Sequence, residues 1–113
     1  MIRNGLVFDE NSQRSYNVVM SGLHFTWDPK KAKANQKKHG ITFDEARSVF
    51  HDEYAIEFYD DEHSAWEERF LLLGLSSGLR LLLVCHCYRE ADDIIRVVSA
   101  RKATTTESAH YRR

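Results

Sequence analysis

The stretch RFLLLGLSSGLRLLLVCHCYREADDIIRVVSARK, residues 69–102, decides the fold. It holds three apolar runs, Arg69 to Leu75, Leu79 to Tyr88 and Ile94 to Ala100. They are broken by Ser76-Ser77-Gly78 and by Glu90-Ala91-Asp92-Asp93. Short apolar runs bounded by turn residues read as strands, and connections this short join antiparallel neighbours. The middle run is apolar on both parities, the mark of a central strand. Upstream, Ala55-Ile56-Glu57-Phe58-Tyr59 reads as an edge strand, and 60–67 as a long polar loop or a brief turn of helix.

Farther upstream the signals become helical. His24-Phe25-Thr26-Trp27 is a short alternating strand, followed by Asp28-Pro29. An aspartate cap accepts orphan backbone N–H groups, and proline at the first helical position gives up a donor that had no partner. A helix from Pro29 to His39 then stops at Gly40, which is free to take positive φ. Thr42-Phe43-Asp44-Glu45 reads as a capping box opening a second helix, whose core stripe is Phe43, Ala46, Val49 and Phe50. Thr104, with Glu107 three residues on, starts a C-terminal helix. The expected fold is α+β: two N-terminal helices packed on a mostly antiparallel four- to five-stranded sheet, plus a C-terminal helix. Residues 1–22 show turn-prone Asn4-Gly5 and Asn11-Ser12 and no sustained period. They are expected to form an extension, poorly structured or a weak strand around Leu6 to Phe8, with Met20 a possible internal start. Residues 23–113 are expected to form a single domain.

Composition narrows the class. At 113 residues the chain suits one domain, and 42% hydrophobic content is enough to offset chain entropy, so general disorder is excluded. No run approaches the roughly 18 apolar residues of a membrane span, and no secretory h-region opens the chain, so the cytoplasm is the expected compartment. Cys85 and Cys87 form neither a disulfide framework nor a zinc ribbon. Charge is blocked along the chain: Lys30, Lys31, Lys33, Lys37 and Lys38 lie in a stretch without acids. Residues 52–68 then carry eight acids and no Lys or Arg, and the last quarter is basic again. Basic blocks flanking an acidic one suit a nucleic-acid groove beside a surface for a basic protein partner. A purely solvated set of faces explains the same blocks.

Strand parity sorts the polar residues. His86 shares a face with Leu82, Val84 and Tyr88, while Cys85, Cys87 and Arg89 share the other. In a regular last strand, Ser99 and Arg101 lie with Ile95 and Val97, opposite Arg96. A guanidinium on a sheet face needs a carboxylate or a bound anion. Arg69, Arg96 and Arg101 therefore suggest an anion site where adjacent strands converge; the competing account pairs them with nearby acids. Uniting Arg96 with Ser99 and Arg101 demands a bulge or a site at a strand edge. His86 titrates near neutrality and can serve as an acid–base group, or as a hydrogen-bonded core residue. The histidines show no His-x-x-x-His or H-E-x-x-H spacing, so no metal is expected, and no phosphate loop or other cofactor signature is present. The expected cofactor set is empty.

These residues resemble a known family. Phe25-Thr26-Trp27-Asp28, the Lys-Ala-x-x-Asn helix, Lys38-His39-Gly40 and Phe43-x-x-Ala46 are similar to the opening of BrnT-type toxins. Glu68-Arg69-Phe70 with Leu73-Gly74 resembles their Glu-Arg strand. His86-x-x-Arg89 and Ile95 to Thr104, closing with Glu107 and Tyr111, resemble their last strands and terminal helix. The match covers about residues 24–113. It implies the toxin of a bacterial type II toxin–antitoxin pair with a fold similar to the RelE ribonucleases. Such toxins cleave RNA and arrest translation, and are neutralised by an antitoxin, here BrnA-like, whose complex binds operator DNA through the antitoxin.

RNA cleavage without metal needs an activated 2′-OH, a stabilised pentacoordinate phosphate and a protonated leaving group. Arg69, Arg96 and Arg101 are the expected phosphate contacts, since planar guanidinium forks suit phosphate oxygens. Ser99 is expected to orient the phosphate or an arginine, and His86 or Glu68 to move protons. Lys30, Lys33, Lys37, His39, Arg89 and Lys102 are expected to bind RNA or the antitoxin. A non-catalytic nucleic-acid binder and a protein-interaction module are the alternatives.

Overall fold

The computed structural model describes residues 24–89 and 93–111; the expected extension at 1–22 and most of the expected turn at 90–93 lie outside them. The sheet has five strands: β1 (His24–Thr26), β2 (Ile56–Tyr59), β3 (Phe70–Leu75), β4 (Leu81–Arg89) and β5 (Ile94–Lys102). Their order is β1-β5-β4-β3-β2. Three neighbouring pairs are antiparallel, and only β1 runs parallel to its partner β5. The chain is α+β with a mostly antiparallel sheet, as the consecutive strand runs require.

Helix α1 (Pro29–His39) begins at Asp28, whose side chain accepts from the Lys30 N–H, and ends at Gly40 with φ 72°. Its sheet-facing stripe is Ala32, Asn35 and His39, leaving the lysines exposed. With so little apolar surface, α1 docks through Asn35. The buried amide donates from Nδ2 to the carbonyls of Ile41 (3.0 Å) and Ala100 (2.9 Å), and Oδ1 accepts from the Ala100 N–H (3.1 Å). Because β1 covers only the start of β5, this amide acts as the missing strand partner of Ala100.

Helix α2 (Phe43–Ser48) continues as a 3₁₀ turn, Val49–His51. Thr42 caps it by accepting from the Glu45 N–H, but the expected reciprocal bond is absent. Glu45 instead reaches across to Arg80, whose Nε donates at 3.0 Å, and to the Ser76 hydroxyl at 2.6 Å. These contacts hold the Glu45 carboxyl below its ordinary range, with the Arg80 hydrogen bond as the largest cause. Phe43, Ala46, Val49 and Phe50 are buried against Leu72, Leu82, Val84, Ile95, Val97 and Ala100, forming the core on one sheet face. Fully burying each large apolar side chain contributes about 1.5–3 kcal/mol.

The β3–β4 hairpin turn falls at Ser76-Ser77-Gly78 as read, closed by Ser76 N–H to Arg80 O (2.9 Å) and Leu79 N–H to Ser76 O (2.9 Å), and its left-handed residue is Leu79, φ 60°. Gly78 answers a different need, since a Cβ there would stand 2.8 Å from the Glu45 carboxylate. On β5 the register slips: Cys85 pairs with Ser99 but His86 pairs with Val97, leaving Val98 as the extra residue of a bulge. The bulge turns Ser99 and Arg101 away from Ile95 and Val97, onto the face that carries Arg96.

The C-terminal helix α3 (Thr105–Ser108) has the capping box read from Thr104 and Glu107. It returns toward the sheet face opposite α1 and α2, where the His110 ring meets Phe58 at 6.2 Å and the Tyr111 hydroxyl donates to Asp52. Among the described residues no helix is long and apolar enough to cross a membrane.

Candidate functional site

The sheet face away from α1 and α2 carries the charge. Pairing places Leu83 beside Arg101, Cys85 beside Ser99, and Cys87 beside Arg96; continuing the β3 register puts Arg69 beside Cys87. Arg89 follows on β4. Three adjacent strands thus deliver Arg69, Arg89 and Arg96 to one end of one face. They surround a single carboxylate, Glu67. Its Oε1 lies 3.4 Å from Arg96 Nη1 and 3.6 Å from Arg69 Nη2, and its Oε2 lies 3.7 Å from Arg89 Nη2. The Cys87 thiol points at Oε2 from 3.6 Å.

Among the described residues, these three guanidinium groups share one carboxylate within 4 Å, an excess of two positive charges in the cluster. The Glu67 carboxyl is held below its ordinary value: burial acts against this, but attraction by Arg96, Arg89 and Arg69 and the Cys87 contact outweigh it. Arg69 Nε is buried without an acceptor. Such a group is costly unless something else meets it. The arginines are only partly covered, with side chains 27%, 47% and 24% exposed for Arg69, Arg89 and Arg96, so solvent and an anion have access. Glu67 sits at the tip of a loop whose neck is the Asp60 N–H to Arg69 O bond (2.9 Å), beside the exposed Trp66.

Arg101 is differently placed. Two rungs from Arg96, about 13 Å along the strand, it forms a two-pronged pair with Glu107, Nη1 to Oε1 at 2.8 Å and Nη2 to Oε2 at 2.9 Å. This pair drives the Glu107 carboxyl down to about 2, the Arg101 hydrogen bond being the largest cause. The expected trio of Arg69, Arg96 and Arg101 is therefore not one cluster in the structure; Arg89 takes the third place. Ser99 lies between, one rung from Arg96 and beside Cys85. Burial pushes the Cys85 thiol up to about 11 and raises that of Cys87, so neither is an activated nucleophile.

His86 lies on the opposite face and is fully buried. Its Nε2 meets Glu57 Oε2 at 2.8 Å, the Tyr88 hydroxyl donates to the same oxygen, and Phe50 packs edge-on at 4.9 Å. The structure does not bring His86 to the arginines. Glu68 is exposed on the segment between Glu67 and Arg69. Lys30, Lys33 and Lys37 are exposed on α1, and His39 is half-buried there. Lys102 ends β5. All of α1 sits across the sheet from the arginine cluster. Among the described residues one group, Asp60, Glu62 and His63, brings possible metal-ligand atoms within 4.8 Å of one another, but Glu62 and His63 are exposed and the Asp60 carboxylate already accepts from or faces His63 Nδ1 at 3.0 Å.

Glu67, Glu57 and Tyr88 were not singled out in the sequence. Glu67 carries no signal of its own in the sequence, because it lies in a loop where strand parity does not apply.

A family model described as the ribonuclease toxin BrnT of type II toxin–antitoxin systems matches residues 27–107, a span that includes the whole arginine cluster. No curated protein matches the chain. Among solved structures, the 1.1 Å crystal structure of the Brucella abortus ribonuclease toxin BrnT is similar, with a TM-score of 0.57 and 22% identity. The likeness covers 74% of this chain and 99% of that one. At this identity it establishes the fold. The matched span, with the fold it describes, places the chain in the BrnT family of ribonuclease toxins of type II toxin–antitoxin systems.

Proposed function

We propose that the chain cleaves RNA without a metal, holding the phosphodiester on Arg69, Arg89 and Arg96. The observation that carries this reading is the gathering of three guanidinium groups from three adjacent strands around one carboxylate, with Arg69 Nε lacking an acceptor. Guanidinium forks fixed by a sheet stabilise the charge that grows on the phosphorane, and they do so without reorganising. Ser99, one rung away, orients the phosphate or Arg96. Of the two acid–base candidates, Glu68 is the one open to solvent, whereas buried His86 serves to hold Glu57 and Tyr88. Arg101 acts through Glu107 as a brace for the C-terminal helix.

The lysines of α1 lie across the sheet from this site. Lys30, Lys33 and Lys37 recur at i, i+3 and i+7, one stripe of a helix. With Lys102 they supply a separate basic surface for flanking RNA or for a BrnA-like antitoxin, whose complex reaches operator DNA, while half-buried His39 lies on the side of α1 turned to the sheet. A cytoplasmic site of action follows from an RNA substrate in translation.

The test is growth arrest together with RNA cleavage by the purified protein. Arg69→Ala and Arg96→Ala are expected to lose cleavage by about 100-fold or more, the scale of removing one transition-state donor. Chelation with EDTA is expected to leave the wild-type rate unchanged. Wild-type cleavage by both folded variants removes the arginines from the mechanism, and metal-dependent rescue after chelation overturns metal independence.

A further inference from the structure

Glu67 occupies the position that an anionic ligand of the arginine cluster would need. Its contacts with Arg69, Arg89 and Arg96 run from 3.4 to 3.7 Å, longer than the ~2.7–2.9 Å of a good charge-assisted hydrogen bond. The same chain shows what a settled pair looks like, in the two bonds of 2.8 and 2.9 Å between Arg101 and Glu107. Two carboxylate oxygens are spread over three guanidinium groups and a thiol, and none of them is well met.

The loop is also built to release this side chain. Its neck is fixed by the Asp60 N–H to Arg69 O bond (2.9 Å), by the Arg69 N–H to Ser64 Oγ bond (3.0 Å) and by the Ser64 hydroxyl to Asp60 O bond (2.6 Å). Among the described residues, no backbone hydrogen bond ties the tip, residues 65–68. Glu67 can leave while Arg69 stays in place.

We propose that Glu67 is a resident stand-in for an RNA phosphodiester, keeping the three arginines gathered in the free protein and giving way when RNA binds. This rests on the reading of the cluster as a phosphate site. One monoanion replaces another, so the exchange costs little net charge. The phosphodiester offers the same two charged oxygens as the carboxylate, but on a tetrahedral centre not tethered to the loop, free to turn one of them toward Arg69 Nε. The carboxylate thereby sets a threshold, because weak anions do not displace a group already tethered at high local concentration.

The experiment titrates the full chain with a single-stranded 2′-O-methyl oligonucleotide, which cannot be cleaved. Glu67→Gln and Glu67→Ala are expected to bind it about tenfold more tightly, the combined scale of three partly exposed ion pairs. Glu62→Gln makes the same charge change on the same loop and is expected to shift affinity less than twofold. Unchanged or weaker binding by both Glu67 variants, or an equal gain in Glu62→Gln, overturns the stand-in role. Arg96→Ala separates the two levels: if it leaves wild-type binding untouched, the phosphate site itself fails. Thermal melts of each variant confirm that the compared proteins are folded.

Discussion

Asn35 shows how much a single polar side chain decides in this fold. Helix α1 has too little apolar surface to dock by burial, so one amide fixes it by closing three backbone groups, two of them on β5. Removing that amide leaves buried donors and acceptors unmet, each at about 1–3 kcal/mol. Asn35→Ala is expected to lower unfolding stability by about 2–3 kcal/mol in urea titrations, and a change under 0.5 kcal/mol would contradict this role. The sequence flagged Asn35 only as part of a motif, because an asparagine in a lysine-rich helix looks like one more exposed residue. Glu67 was hidden for the opposite reason, as one acid among eight in an acidic stretch. His86 was visible at once, yet neither burial nor the face it occupies can be weighed until strands are paired.

At the scale of elements, the strands and helices follow from patterns that local physics enforces. Asp28-Pro29 and Gly40 bound α1, and Thr104 with Glu107 opens α3, because caps satisfy orphan backbone groups wherever they occur. The bulge at Val98 left no such trace. Two adjacent valines suit a regular strand, and only the awkward separation of Arg96 from Ser99 and Arg101 hinted that the strand must slip. The β3–β4 turn was legible in its position but not in its left-handed residue, since the glycine sits at 78 while Leu79 takes φ 60° and stands 80% exposed. A left-handed leucine costs about 1–2 kcal/mol relative to glycine. Leu79→Gly is therefore expected to raise stability by about 0.5–1 kcal/mol once the added freedom of the unfolded chain is subtracted. Chemical denaturation checks the sign, and a loss of stability would mean that the turn is held by the leucine side chain.

At the scale of the whole molecule, charge rather than the core divides the surfaces. Helices α1 and α2 cover one sheet face and the arginines gather on the other, beside α3, so the basic blocks of the sequence end on opposite sides. Carboxyl groups with depressed values, Glu45, Glu67 and Glu107, make acid the weak direction. A carboxyl lowered in the folded state adds stability above its ordinary value of 4.5 and loses it as the pH falls toward its folded value, about 2 for Glu107. After solvent screening the Arg101–Glu107 pair contributes about 1 kcal/mol. Glu107→Gln is expected to flatten the fall in stability between those pH values, and an unchanged pH profile would remove the pair from the acid response.

The most direct test of the central claim is the salt dependence of binding to uncleavable single-stranded RNA. Each phosphate contact on a single strand contributes about −0.7 to the slope of log affinity against log salt. If Arg69, Arg89 and Arg96 each meet phosphate, replacing all three with alanine makes that slope shallower by about 2 while the protein remains folded. A slope identical to wild type would show that the backbone of RNA is held elsewhere.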